Sequence, residues 1–136
     1  MTARVDRLST ARKIGIVLRT WWYMASIRLA LVRRPLPEVV EALRGDAVGR
    51  RPPVRPFRLG RIVHRSLTLG PLKTRCLYTS LVTFRMLHEQ GDPAELVLGL
   101  PERPEDKDAH AWVEVDGYDI GPPPGGAGYV ELARYA

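Results

Sequence analysis

Two short stretches carry the strongest local signals of this chain: Arg-Cys-Leu-Tyr-Thr-Ser at residues 75–80 and Ala-His-Ala-Trp-Val-Glu-Val at residues 109–115. The first contains Cys76, the single cysteine of the sequence, at the predicted start of a helix. The second alternates as a strand does and places His110 within it. A thiol at a helix start and an imidazole on a strand are the parts of a cysteine nucleophile and its general base.

The helix around Cys76 has clear boundaries in the sequence. Thr74 suits an N-cap and Gly91 suits the end, so we expect a helix over residues 75–90. Apolar residues recur along it at helical spacing, which predicts a central and largely buried helix. Its N-terminus stabilises a thiolate, and its free N–H groups can hold an oxyanion. His88 is expected at its other end, where a charged imidazole suits the dipole.

Strand alternation puts His110, Trp112 and Glu114 on one face of the second stretch. Asp116-Gly117 predicts a tight hairpin, which pairs Glu114 with Asp119. Asp119 then shares the face of His110 but lies about 13 Å along the strand, at about 3.3 Å per residue, too far for a direct hydrogen bond.

Three arrangements of the third catalytic member follow from this hairpin. In the first, the hairpin is irregular and brings Asp119 within reach of His110. In the second, Asp108 orients the imidazole instead. In the third, Cys76 and His110 work as a dyad without an acid. We take Asp119 as the candidate, because loops at functional sites often break ideal pairing. Asp108 lies on the same face and closer to His110 along the strand.

The rest of the sequence predicts helices before Cys76 and strands after it. Helices are expected at residues 8–33, 38–44 and 59–69, strands at 94–100, 109–115 and 118–121, and a final helical turn at 131–135. The fold class is therefore α+β. We expect an N-terminal helical region at 1–45, an Arg/Pro-rich linker at 46–58 and a catalytic domain at 59–136.

The amino-acid composition narrows the range of possible functions. One cysteine in 136 residues excludes a disulfide framework and a multi-cysteine zinc site, and it fits a reducing cytoplasm. The net charge of +6 favours an acidic partner, although no zinc-finger or RNA-binding signature indicates nucleic acid. The apolar helix at 8–33 contains Arg19 and Arg28, which are costly in a bilayer, so we expect it to pack on the domain or a partner. Peripheral membrane contact is the alternative.

Three segments together resemble one known family. Residues 75–81 resemble the Cys-Leu-x-x-Ser-Leu helix start of the transglutaminase-like leader peptidases of lasso-peptide biosynthesis. Residues 91–99 resemble that family's Gly-x-Pro-Ala-x-Leu-Val-x-Gly turn and strand, and residues 109–117 resemble its His-Ala-Trp-Val-Glu segment. The resemblance covers about residues 59–121.

The resemblance implies a papain/transglutaminase-like domain, with Cys76 at the start of a central helix and His110 on a small antiparallel sheet. It implies a cysteine peptidase that removes the leader from a ribosomally made precursor peptide, with Cys76 as nucleophile and His110 as base. No cofactor or metal is expected. The expected partners are the precursor peptide, a separate leader-binding protein and a lasso cyclase. The family has an aspartate where this chain has Pro122, so the third member stays open.

Other function classes compete with this interpretation. A catalytically inactive homologue would act as a peptide-binding or partner-binding subunit. A membrane-surface or nucleic-acid-binding module would be built on the arginine-rich first helix. A transglutaminase-type transfer of the acyl group to an amine is the close enzymatic alternative.

Overall fold

A computed structural model gives the fold. It describes residues 9–44, 54–68, 76–102, 110–120 and 129–135, with the main chain alone for Cys76, Pro101 and Tyr129. Over these residues the helices are α1 (Thr10–Arg33), α2 (Leu36–Arg44), α3 (Pro56–Thr68) and α4 (Cys76–Glu89). The strands are β1 (Ala94–Pro101), β2 (His110–Val115), β3 (Tyr118–Asp119) and β4 (Tyr129–Tyr135). The predicted α+β class is confirmed.

The long N-terminal helix packs on the domain, as the sequence predicts. Ser9 caps α1 by accepting a hydrogen bond of 3.2 Å from the Arg12 main-chain N–H. One stripe of α1 at helical spacing is buried: Ile16, Thr20, Met24 and Ile27. None of the helices among the described residues is long and apolar enough to cross a membrane.

Two arginines within the apolar run of α1 have partners on α4. Arg19 forms an ion pair with the buried carboxylate of Glu89 at 3.6 Å. Arg28 lies over the ring of Tyr78, 5.4 Å from its centroid. Both arginines are partly exposed, and each has a specific partner on α4, which is consistent with their place in an otherwise apolar helix. The two contacts also set α1 antiparallel to α4.

Helix α4 is the centre of the molecule. Its side chains Leu81, Phe84 and Leu87 are fully buried, and it packs against the other three described helices and against β1 and β2. Helix α3 begins at Pro56, three residues earlier than predicted, because proline suits the first turn of a helix. His88, near the end of α4, donates a hydrogen bond of 3.0 Å to the Ala94 carbonyl. His88 lies in the last turn as expected, but burial lowers its pKa and so disfavours the charged imidazole that the helix dipole would suit.

The strands form an antiparallel sheet in the order β3-β2-β1-β4. Ala94 pairs with Val115, and the register continues to Gly99 opposite His110. The expectation of a helical turn at residues 131–135 is wrong, since Tyr129–Tyr135 is strand β4 on the free edge of β1. Pairing with a long central strand supplies hydrogen bonds that a local sequence window does not show.

The predicted hairpin between β2 and β3 is confirmed. Asp116 and Gly117 have φ angles of 52° and 83°, as a two-residue turn with both central residues left-handed requires. Val115 pairs with Tyr118, and Glu114 pairs with Asp119. The outward face of β2 and β3 therefore carries both His110 and Asp119.

Candidate active site

Helix α4 and strand β2 run side by side in the same direction. Near the start of both elements, the Ser80 hydroxyl of α4 donates a hydrogen bond of 3.1 Å to the Ala111 carbonyl of β2. Near the end of both elements, His88 of α4 contacts Ala94 of β1, which pairs with Val115 of β2. The eight residues from Ser80 to His88 rise about 12 Å, and the four from Ala111 to Val115 rise about 13 Å, so helix and strand stay level.

This alignment places the start of α4 beside the start of β2. Cys76 precedes Ser80 by one turn, about 6 Å along the helix axis. The same distance along β2 is about two residues, which brings the main chain of Cys76 level with the start of β2 at His110. The Cys76 thiol itself lies outside the described side chains. The structure thus brings the two sequence-predicted elements, helix start and histidine strand, to the same end of the domain.

The contact between Ser80 and Ala111 lies on the edge of β2 that faces β3. The Val113 carbonyl accepts a hydrogen bond of 3.1 Å from the Ile120 main-chain N–H, so this edge of β2 faces β3. Two residues earlier, the Ala111 carbonyl points to the same edge. The Ser80 hydroxyl donates to this carbonyl, which fastens α4 to β2 one residue after His110.

His110 is half-buried at the start of β2 and stacks on Trp112, with ring centroids 6.0 Å apart and planes 24° apart. Burial lowers the pKa of His110 below its ordinary value, because the charged form loses hydration. An imidazole that is neutral at neutral pH is ready to accept a proton from a thiol.

Asp119 acts on His110 through its charge. It lies opposite Glu114, on the outward face shared with His110. Its negative charge raises the pKa of His110, against the larger effect of burial. Asp108, the other candidate for the third member, lies outside the described residues, as does most of the predicted linker at 46–58. The hairpin is regular, so the irregular hairpin considered in the sequence analysis is not observed, and the assignment of Asp119 as the orienting acid stays a prediction.

A polar network behind Trp112 was missed by sequence reasoning. The Trp112 indole donates a hydrogen bond of 2.8 Å to Glu114, whose other oxygen accepts one of 3.0 Å from Arg134. Arg134 also pairs with Glu95 at 3.1 Å and Glu131 at 2.6 Å, and these carboxylates raise the pKa of the guanidinium. Arg134 lies on β4, and because sequence reasoning predicted a helical turn there, it did not place Arg134 next to these glutamates. Two tyrosines and one valine within residues 129–135 were the available signal for a strand.

Trp112 also lies directly over Gly99. A β-carbon at Gly99 would come within 2.8 Å of the indole ring and 3.0 Å of the Val130 carbonyl. Glycine is therefore needed at this point of β1 for the ring to lie flat beside His110. Within the described part of the chain, no group of three or more histidine, cysteine, aspartate or glutamate side chains is placed to hold a metal ion.

Fold and site together define an α+β domain with a cysteine at the start of its central helix and a histidine on the adjoining strand. Comparison with protein families matches residues 14–134 to the transglutaminase-like superfamily. The match begins within α1, ends within β4 and spans most of the 136 residues, so the chain belongs to this superfamily. Searches of curated proteins and of solved structures found no match. The family supports cysteine peptidase or acyltransferase chemistry.

Proposed function

We propose that the protein is a cysteine peptidase that removes the leader from a ribosomally made precursor peptide of the lasso type. The observation that carries the chemistry is the alignment of α4 with β2, fixed by the bond from Ser80 to Ala111. It brings the main chain of Cys76 level with His110 at one end of the domain. Membership of the transglutaminase-like superfamily supports acyl transfer by this pair.

The proposed reaction has two steps. Neutral His110 takes the proton of Cys76, and the thiolate attacks the peptide carbonyl while main-chain N–H groups at the start of α4 hold the oxyanion. His110 then protonates the departing amine, and the C–N bond breaks to leave a thioester on Cys76. Water activated by His110 hydrolyses the thioester and restores the thiol.

The substrate assignment has separate support. The three segments at 75–81, 91–99 and 109–117 resemble the lasso-peptide leader peptidases, and all three lie on the elements that build the site. The middle segment is the turn and strand β1 that pairs with the histidine strand. Under this proposal the enzyme acts in the cytoplasm, where its single thiol stays reduced.

An exposed apolar stripe on α1 supports the proposal of a protein partner, namely a separate leader-binding protein or the lasso cyclase. The stripe repeats at helical spacing on the face opposite the core and comprises Ile14, Leu18, Trp22, Leu29 and Val32, each more than half exposed. Large apolar side chains aligned over this length mark an interaction surface. Flotation with liposomes tests the alternative of peripheral membrane contact, which would make the stripe a lipid-facing surface instead.

The proposed activity is tested by mass spectrometry of precursor peptides incubated with the protein and a leader-binding protein. We expect cleavage between leader and core, and none with Cys76→Ala or His110→Ala. Adding a primary amine such as glycine methyl ester separates the two acyl-transfer outcomes. A free carboxylate at the new terminus identifies a peptidase, whereas an amide to glycine methyl ester as the main product would identify a transferase and contradict the proposal. No product of either kind would favour a binding subunit.

A further inference from the structure

A basic groove lies between the start of α1 and the exposed face of α3, with a volume of about 520 Å³. Five of its lining residues carry positive charge: Lys13, Arg55, Arg58, Arg61 and Arg65. The other two are apolar, Phe57 and Ile62, and Phe57 is 53% exposed. No acidic side chain is among the described residues that line it.

The charge of the groove follows from the two helices. Neither Thr10–Arg33 nor Pro56–Thr68 contains an aspartate or glutamate, so no carboxylate within either helix offsets these cations. Leu59, Val63 and Leu67 turn one face of α3 into the core. Arg58, Arg61 and Arg65 recur on the other face at i, i+3 and i+7, over about 10 Å of helix axis. The sequence thus builds a basic row at the surface and keeps it away from the core.

The groove lies at the opposite end of the domain from Cys76. Val54, just before α3, donates a hydrogen bond of 3.1 Å to the Gln90 side chain and accepts one of 2.5 Å from it. Gln90 follows the last residue of α4, while Cys76 is the first. Fourteen residues of helix separate these ends by about 20 Å, the length of about six residues of extended peptide.

We propose that this groove binds an acidic segment of the peptide substrate, about six residues or more from the cleaved bond. The inference rests on the proposed function for its substrate. Charge complementarity selects carboxylates, because each arginine can form two parallel hydrogen bonds with one. Phe57 and Ile62 give an apolar side chain of the same segment a place to pack.

Binding is tested without cleavage, in Cys76→Ala protein, with a fluorescein-labelled peptide of alternating glutamate and leucine and its glutamine analogue. Loss of two charge-assisted contacts in Arg61→Glu/Arg65→Glu should weaken binding of the acidic peptide about tenfold or more. The matched control Arg33→Glu/Arg34→Glu makes the same change in net charge at the far end of α1, and it should stay within about twofold if the contacts are local. Equal binding of the glutamine analogue, or an equal effect of the control, would overturn the proposal.

The same pair of variants is then compared in cleavage by the active protein. Peptides are made with the acidic segment two, six or ten residues from the cleaved bond. We expect a lower KM for the peptides with spacings of six and ten residues than for the peptide with a spacing of two. Arg61→Glu/Arg65→Glu should raise the KM of the longer-spaced peptides and leave kcat unchanged. Suppose cleavage occurs with a KM that depends neither on the position of the acidic segment nor on the arginine substitutions. The groove proposal would then be wrong, and the proposed peptidase activity would be unaffected.

The two proposals can also fail in the opposite order. Arginine-dependent binding of the acidic peptide with no cleavage of any peptide would uphold the groove and refute the peptidase. Vesicles of phosphatidylglycerol and a single-stranded RNA oligonucleotide are measured alongside. Tighter binding of either than of the acidic peptide, lost in Arg61→Glu/Arg65→Glu, would overturn the assignment of the groove to a peptide.

Discussion

The Ser80 hydroxyl donates a hydrogen bond of 3.1 Å to the Ala111 carbonyl, one turn after the cysteine and one residue after the histidine. Serine and carbonyl thereby join the two elements that carry the proposed chemistry. The bond is buried, with Ser80 at 8% exposure, so water does not compete for it. It holds the start of the central helix in place against the start of the histidine strand.

Removing this bond should disturb the site as well as the fold. Ser80→Ala leaves the Ala111 carbonyl without this donor, at a cost of about 1–3 kcal/mol in the free energy of unfolding. It should also slow alkylation of Cys76, because the helix start is less firmly held. Urea denaturation and iodoacetamide kinetics measure the two effects. Ser66→Ala is the control, because the Ser66 hydroxyl bonds the Ile62 carbonyl within its own helix. An equal change of reactivity in both variants would argue against a special role for Ser80.

Asp119→Asn should lower the pKa of His110. The carboxylate favours the protonated imidazole and raises its pKa, so an uncharged amide leaves burial to lower the pKa further. His110 would then stay neutral to more acidic pH. Titration of the imidazole resonances by NMR in the Cys76→Ala background measures this without the thiolate. Asp116→Asn, at the hairpin turn, is the control. An unchanged or raised pKa of His110 in Asp119→Asn would show that Asp119 does not act on this imidazole.

Gly99→Ala should destabilise the protein and displace Trp112. Its β-carbon would meet the indole at 2.8 Å, and the repacking should cost about 1–3 kcal/mol. Gly15→Ala is the matched control. It lies in α1 with no atom within 4 Å of the new carbon, so it should stabilise by about 0.5–1 kcal/mol. Thermal unfolding and tryptophan fluorescence compare the two. Wild-type stability in Gly99→Ala would show that Trp112 does not lie as described.

Glu114→Ala should cost more than Glu95→Ala, although both remove a carboxylate from Arg134. Glu114 also accepts the hydrogen bond of buried Trp112, and an indole N–H left without an acceptor costs about 1–3 kcal/mol. Glu95 makes a partly exposed ion pair, a kind worth about 0–1 kcal/mol. Equal losses in urea denaturation would mean that the Trp112 bond contributes nothing beyond the ion pair.

The sequence predicted what local periodicity encodes. The helix at Cys76, the strand at His110 and the turn at Asp116-Gly117 each follow from a pattern within a few residues, and the turn fixed the pairing of Glu114 with Asp119. Strand β4 was missed because its stability comes from pairing with β1, far away in sequence.

The site was predicted less completely than the fold. The charge state of His88 depends on burial, which a helix-end rule does not include. The bond between Ser80 and Ala111 joins two segments that are 31 residues apart in sequence, so no local motif predicts it. Arg134 and its three glutamates likewise meet only after the sheet has formed.

The most direct test of the central claim is the pH dependence of Cys76 alkylation by iodoacetamide in the wild type and in His110→Ala. Cys76 is the only cysteine, so the measured rate belongs to it alone. If the two residues act as a pair, the wild-type thiol reacts with an apparent pKa well below about 8.5, and His110→Ala moves that value upward. A thiol that titrates near the ordinary value in both proteins, or that does not react in either, would contradict the account.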